Sequence, residues 1–166
     1  EPTTITISRD PANRYFVSML VETTIAELPD SDKIVGIDLG VNALATLSDG
    51  TVFYSPDTAK DRARLKRAQR RQARKKLGSR NREKARLKAA RITARISDSR
   101  RNNLHQITTK IVRENQVIAI EDLNVRGMTA ASSGGKKRGL NRALNNSAFA
   151  EFRSMLEYKA EWYGRT

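Results

Sequence analysis

The chain has 166 residues, a net charge of +14 and no cysteine, so it can bury one core but holds neither a disulfide nor a cysteine-ligated zinc. No run of about 18 apolar residues occurs, which excludes a membrane-spanning helix, and no signal peptide is visible. The charge is uneven: residues 58–114 carry 21 of the 32 lysines and arginines against 4 of the 18 acids, whereas residues 1–57 carry 3 against 9. A polycationic middle third points to a polyanionic partner, and to nucleic acid before a membrane surface, because the basic stretch lacks large apolar and aromatic residues. The first residue is Glu1 rather than Met, which reads as a trimmed start.

In chain order, Thr3–Ser8 and Tyr15–Val21 alternate polar and apolar residues around Asp10-Pro11-Ala12-Asn13. This predicts a β-hairpin, marginal by itself and in need of something to dock on. Ile25–Asp32, acidic and holding Pro29, reads as a linker. Ile34–Ile37 reads as a buried strand that Asp38 interrupts between Gly36 and Gly40. Val41–Leu47 reads as a second strand, Ser48-Asp49-Gly50 as a hairpin turn and Thr51–Tyr54 as a third strand. A carboxylate in an apolar strand is costly unless it is paired or holds a metal; the bland alternative is a turn cap. A three-strand meander with an acid at the end of its first strand is how a ribonuclease H-like nuclease begins.

Asp57 or Thr58 is the expected N-cap of a helix reaching about Leu77, with a thin stripe of Ala59, Ala63, Leu65, Ala68, Ala73 and Leu77. After Gly78-Ser79 a second helix is predicted from about Arg82 to Asn115, on Leu87, Ala90, Ala94, Leu104, Ile107 and Ile111. Together they predict a projecting basic helical hairpin. Its candidate nucleic-acid contacts are Arg64, Arg67, Arg70, Arg71, Arg74, Lys75, Lys76, Arg80 and Arg82. The competing reading, a solvated basic coiled coil that holds proteins, lacks sustained heptads and pairing acids. His105, the one histidine, reads as structural.

Gln116–Leu123 repeats the logic of Asp38: an apolar strand with Glu121 at its C-terminal end. Parallel strands bring such ends together. Two carboxylates there can share Mg²⁺ or Mn²⁺, and a pair of such ions about 4 Å apart supports phosphodiester hydrolysis. Asp122 alternates to the other face and reads as a surface acid. Thr129–Asn146 is a basic Gly/Ser/Asn-rich loop in which Lys136, Lys137 and Arg138 are candidate nucleic-acid contacts; linker, lid and strand contact all remain open. Asn146 or Ser147 then caps a helix over Ala148–Tyr163, whose Phe149, Phe152, Met155, Leu156 and Tyr163 read as core.

Ile34-Val35-Gly36-Ile37-Asp38-Leu39-Gly40-Val41 and Ile118-Ala119-Ile120-Glu121-Asp122-Leu123-Asn124-Val125-Arg126-Gly127-Met128, with an arginine-rich hairpin between them, resemble the TnpB (OrfB) proteins of insertion sequences. The resemblance covers nearly the whole chain. It implies an α/β, ribonuclease H-like (RuvC-like) domain over residues 33–166, with residues 58–114 inserted as a basic helical hairpin. Residues 1–28 would be the end of a wedge-like β-barrel. It further implies an RNA-guided DNA endonuclease, similar to type V CRISPR effectors, working on DNA and guide RNA in the prokaryotic cytoplasm and nucleoid. By the same likeness Asp38 and Glu121 are catalytic acids and metal ligands. The family pattern continues into another strand, a four-cysteine zinc ribbon and a third catalytic aspartate, none of which this sequence contains. The resemblance therefore implies a sheet incomplete at its C-terminal edge, open to self-association. A nucleic-acid-binding module without chemistry is the alternative. An actin-like ATPase would need further phosphate loops that this sequence does not supply.

Overall fold

The computed structural model describes residues 4–40, 42–121 and 149–166. Among these residues the chain is mixed α/β, with two sheets and three helices. It divides into two compact bodies: Glu1–Thr24 with Pro56–Arg101, and Ile25–Ser55 with Asn102–Thr166. Among the described residues no helix is long and apolar enough to cross a membrane.

In the first body, strands β1 (Thr4–Arg9) and β2 (Tyr15–Leu20) pair antiparallel from Thr4↔Leu20 to Arg9↔Tyr15. Asp10 folds the turn between them: its Oδ1 accepts the amides of Ala12 and Arg14 at 2.8 and 2.9 Å, and Asn13 takes the left-handed φ of 64°. Helix α1 (Ala59–Ala73) starts behind Thr58, yet the carboxylate that accepts the Ala59 amide, at 2.8 Å, belongs to Asp57. The Thr58 hydroxyl instead accepts from the Arg62 guanidinium at 3.0 Å.

Helix α1 stops four residues before the predicted Leu77. The Lys75 amide closes a tight turn on the Gln72 carbonyl, and Leu77 is 80 % exposed, so no burial sustains another turn. Helix α2 (Arg80–Glu114) starts two residues earlier than predicted, because Ser79 caps it by accepting the Arg82 amide at 3.2 Å. The burial that joins the two helices is thin, on Ala68, Ala89 and Ile96. Asp61 adds ion pairs to Arg64 at 3.3 Å and to Arg95 of α2 at 3.6 Å.

In the second body a four-stranded sheet has the order β5 (Val52–Phe53), β4 (Ala45–Leu47), β3 (Ile34–Leu39), β6 (Val117–Ile120). The β3–β4–β5 meander is antiparallel, and β6 lies parallel to β3. One face of the sheet is buried. Val35, Ile37, Leu39, Ala45 and Leu47 pack on Leu104, Ile107, Ile111 and Val112 of α2, and on Phe149, Phe152, Met155 and Leu156 of helix α3 (Phe149–Trp162). The β4 strand begins at Ala45 rather than at the predicted Val41. The Gly40 amide reaches back to Leu44 O at 3.4 Å, and a Cβ on Gly40 would stand 3.0 Å from the Ala43 carbonyl, so the chain turns there.

The predicted linker docks on the end of α3: the Leu28 amide donates to Tyr163 O at 3.3 Å, and Arg165 binds Pro29 O at 2.9 Å, Val112 O at 3.2 Å and the Gln116 side chain. Thr166 lies against the outer edge of β6, donating to Gln116 O at 3.0 Å and accepting from the Ile118 amide at 2.6 Å, the pattern of a parallel bridge opposite Val117. Lys159 is buried, and its Nζ donates to Thr108 Oγ1, Thr109 Oγ1 and His105 O at 2.7, 2.9 and 3.0 Å.

Candidate metal centre and nucleic-acid surface

The parallel pairing of β3 and β6 runs Ile34↔Val117, Val35↔Ile118, Gly36↔Ala119, Ile37↔Ile120. Asp38 and Glu121 each follow the last pair by one residue. They therefore stand at the same level on neighbouring strands, roughly 4.8 Å apart as strands. Ile37 is buried in the core and Ile120 packs against it, so alternation turns the next residue of each strand to the other face. Asp38 and Glu121 are both exposed. On its other side Asp38 pairs with Thr46 of β4.

The strand continues past Ile37 to Leu39, so Asp38 sits inside β3 and not at its end. Its exposure also removes the burial cost that the sequence suggested, and the case for it rests on its neighbour Glu121. Neither acid has an ion-pair partner among the described residues. Two hard oxygen donors side by side, with no ion-pair partner among the described residues, suit a divalent cation such as Mg²⁺ or Mn²⁺. Asp122, the loop Thr129–Asn146 with Lys136, Lys137 and Arg138, and the predicted caps Asn146 and Ser147 lie outside the described residues.

The basic candidates divide by what they touch. Arg67, Arg70 and Arg71 are exposed on α1, Arg74, Lys75 and Lys76 on the connection, and Arg80 at the start of α2. A groove of about 400 Å³ between the helices is lined by Arg64, Arg67, Arg71 and Lys88 over a floor of Ala68, Ala85 and Ile92. Arg82 differs: its guanidinium donates to Gln72 O and Lys75 O at 3.2 and 3.1 Å and so closes the helical hairpin. Glu83 accepts from Arg86 at 2.6 to 2.9 Å, which holds its carboxyl below the usual range. Burial, and then the neighbouring Arg62, lower the pKa of Arg100. Lys88, Arg91 and Arg95 were not singled out from sequence. They recur at three- and four-residue spacing on α2, a signal lost in a segment where nearly every turn is basic.

A family model described as "Probable transposase", OrfB_IS605, matches residues 16–132. The chain belongs to this family. A Streptomyces pristinaespiralis protein named "Putative RNA-guided DNA endonuclease" is 51 % identical to it over 99 % of this chain and 40 % of its own length. An Escherichia coli K12 relative, with the same description and the name InsQ, is 35 % identical over 96 % of this chain and 42 % of its own. A Mycobacterium tuberculosis relative of that description is 36 % identical over 93 % of this chain and 34 % of its own. The chain thus spans about two-fifths of the length of the relatives it matches. Within this transposase family, the matched region takes in both Asp38 and Glu121 and the whole basic hairpin.

Proposed function

We propose that this chain carries two acidic metal ligands and the basic arm of a transposon-encoded, metal-dependent, RNA-guided DNA endonuclease with a ribonuclease H-like domain, acting at the prokaryotic nucleoid. The observation that carries the reading is the β3–β6 register, which sets Asp38 and Glu121 side by side at one end of the sheet. The sheet order, a meander followed by a parallel strand across a long insertion, supports the domain type. The names of the relatives support the substrate and the guide.

Asp38 and Glu121 would hold Mg²⁺ or Mn²⁺. Such ions, when bound, supply a water acidic enough to attack a phosphodiester and neutralise charge on the leaving oxygen. The chain's own part is to hold the two carboxylates at one level on a rigid sheet. The arginines of α1 supply affinity for the phosphate backbone of guide RNA and DNA. Binding and chemistry therefore reside on different residues and separate in variants. A second reading, binding without chemistry, is favoured by one observation: among the described residues no cluster of three or more His, Cys, Asp or Glu side chains forms.

The test is a Mn²⁺ titration of this chain by electron paramagnetic resonance, paired with cleavage of single-stranded DNA. Loss of Mn²⁺ binding in both Asp38→Asn and Glu121→Gln supports the metal centre. Equal binding by wild type and both variants removes these acids from it. Salt-sensitive nucleic-acid binding with no metal uptake selects the second reading.

A further inference from the structure

The four acids of residues 58–114 are Asp61, Glu83, Asp98 and Glu114. In a segment so basic a carboxylate weakens any field aimed at a polyanion. Yet three of the four lie in ion pairs within one body, and one of those pairs reaches the N-terminal β-hairpin. Asp98, on α2, takes the Arg14 guanidinium through both carboxylate oxygens, at 2.5 and 3.3 Å. The same guanidinium is held from behind by Asp10 at 2.7 Å and lies 5.2 Å from the Phe16 ring centroid. Arg86, itself fixed by Glu83, donates to Pro11 O at 3.3 Å. Between these ties Ala12, at the tip of the turn, is 3 % exposed. The strands beyond the tip are exposed throughout, so this tip is the hairpin's anchorage in the body. A recess of about 560 Å³ beside it is walled by Asn13, Arg14, Arg91, Arg95 and the Asp98 carboxylate itself, whose charge Arg14 offsets.

We infer that the β-hairpin and the basic helical hairpin form one body that binds a duplex phosphate backbone. Asp98 is its positioning residue, setting the hairpin tip, through Arg14, beside the recess that receives a phosphate. The binding half of this rests on the function proposed above; the docking half does not. No aromatic residue occurs between Thr58 and Asn103, so the helices offer no platform for stacking bases, and the backbone of a duplex is what they can grip.

The sign of one measurement tests it. Asp98→Asn raises the net positive charge, so charge alone predicts tighter binding of a labelled RNA–DNA hybrid duplex. The positioning role predicts the opposite, a loss of about tenfold, and Asp98→Glu, which keeps a carboxylate for Arg14, should recover most of it. Hydrogen exchange in the free proteins reads docking without ligand: amides of residues 10–14 are expected to be protected in wild type and exposed in Asp98→Asn. Unchanged or tighter binding by a folded Asp98→Asn, or no recovery in Asp98→Glu, overturns the positioning role. Exchange that changes as expected, in a protein that fails to bind any duplex, keeps the docked body and overturns its proposed ligand.

Discussion

Replacing Arg67, Arg70, Arg71 and Arg74 together by glutamine should flatten the salt dependence of nucleic-acid binding. All four are exposed, and none has a carboxylate partner among the described residues. At 1.5 Å of rise per residue they span roughly 10 Å of α1 and its cap. A duplex presents a phosphate about every 3.4 Å along each strand, so three or four contacts fit. Each contact contributes about 0.9 to the slope of log K against log salt, and four contribute roughly 3.6. Between 50 and 200 mM salt, wild type should then lose on the order of 150-fold more affinity than the variant. Glutamine keeps the helix propensity, so the helix itself should survive. Fluorescence anisotropy of a labelled duplex over a KCl series gives both slopes. Equal slopes would remove these arginines from the interface and refute the reasoning. Arg82→Gln is the contrast: it releases the Gln72 and Lys75 carbonyls and loosens the hairpin, so affinity should fall with less change of slope.

Two further predictions concern the second body. Phe152 is fully buried at the centre of the core, so Phe152→Ala should cost about 3–5 kcal/mol in a urea titration followed by circular dichroism; a loss under about 1 kcal/mol would mean the core is not packed as described. Burial lowers the pKa of Lys159 below its ordinary 10.5, so the unfolded chain binds the extra proton in the window just under that value and stability should rise with pH there. Lys159→Met should remove that rise from the urea midpoints measured between about pH 8 and 10.5; the same rise in both proteins would place its origin elsewhere.

The parts of this molecule that follow from local chemistry were legible in its sequence. Ile34–Ile37 and Val117–Ile120 were legible as strands, but not as fully buried ones: β3 buries one face, Ile34 is 71 % exposed, and no residue of β6 is wholly buried; their pairing is parallel, as expected. The face of α3 was legible because Phe149, Phe152, Met155 and Leu156 recur at helical spacing. What escaped are contacts between residues far apart in the chain. Nothing near Asp98 announces that its partner is Arg14, and Arg82 looks like every other arginine until its place beside the end of α1 is known. Leu77 was misread as helical because propensity favours it, while the burial that would hold it there is missing.

The parallel pairing of β3 with β6 has a consequence in time. Glu121 follows Asp38 by 83 positions, with the whole polycation between them. At roughly 5–20 residues per second, a ribosome delivers the second acid about 4–17 s after the first. Over that interval the rest of the meander and then the arginines of α1 and α2 are made, all before β6 can pair with the open flank of β3. The nascent chain is therefore a polycation before it is a sheet with β3 paired on both flanks.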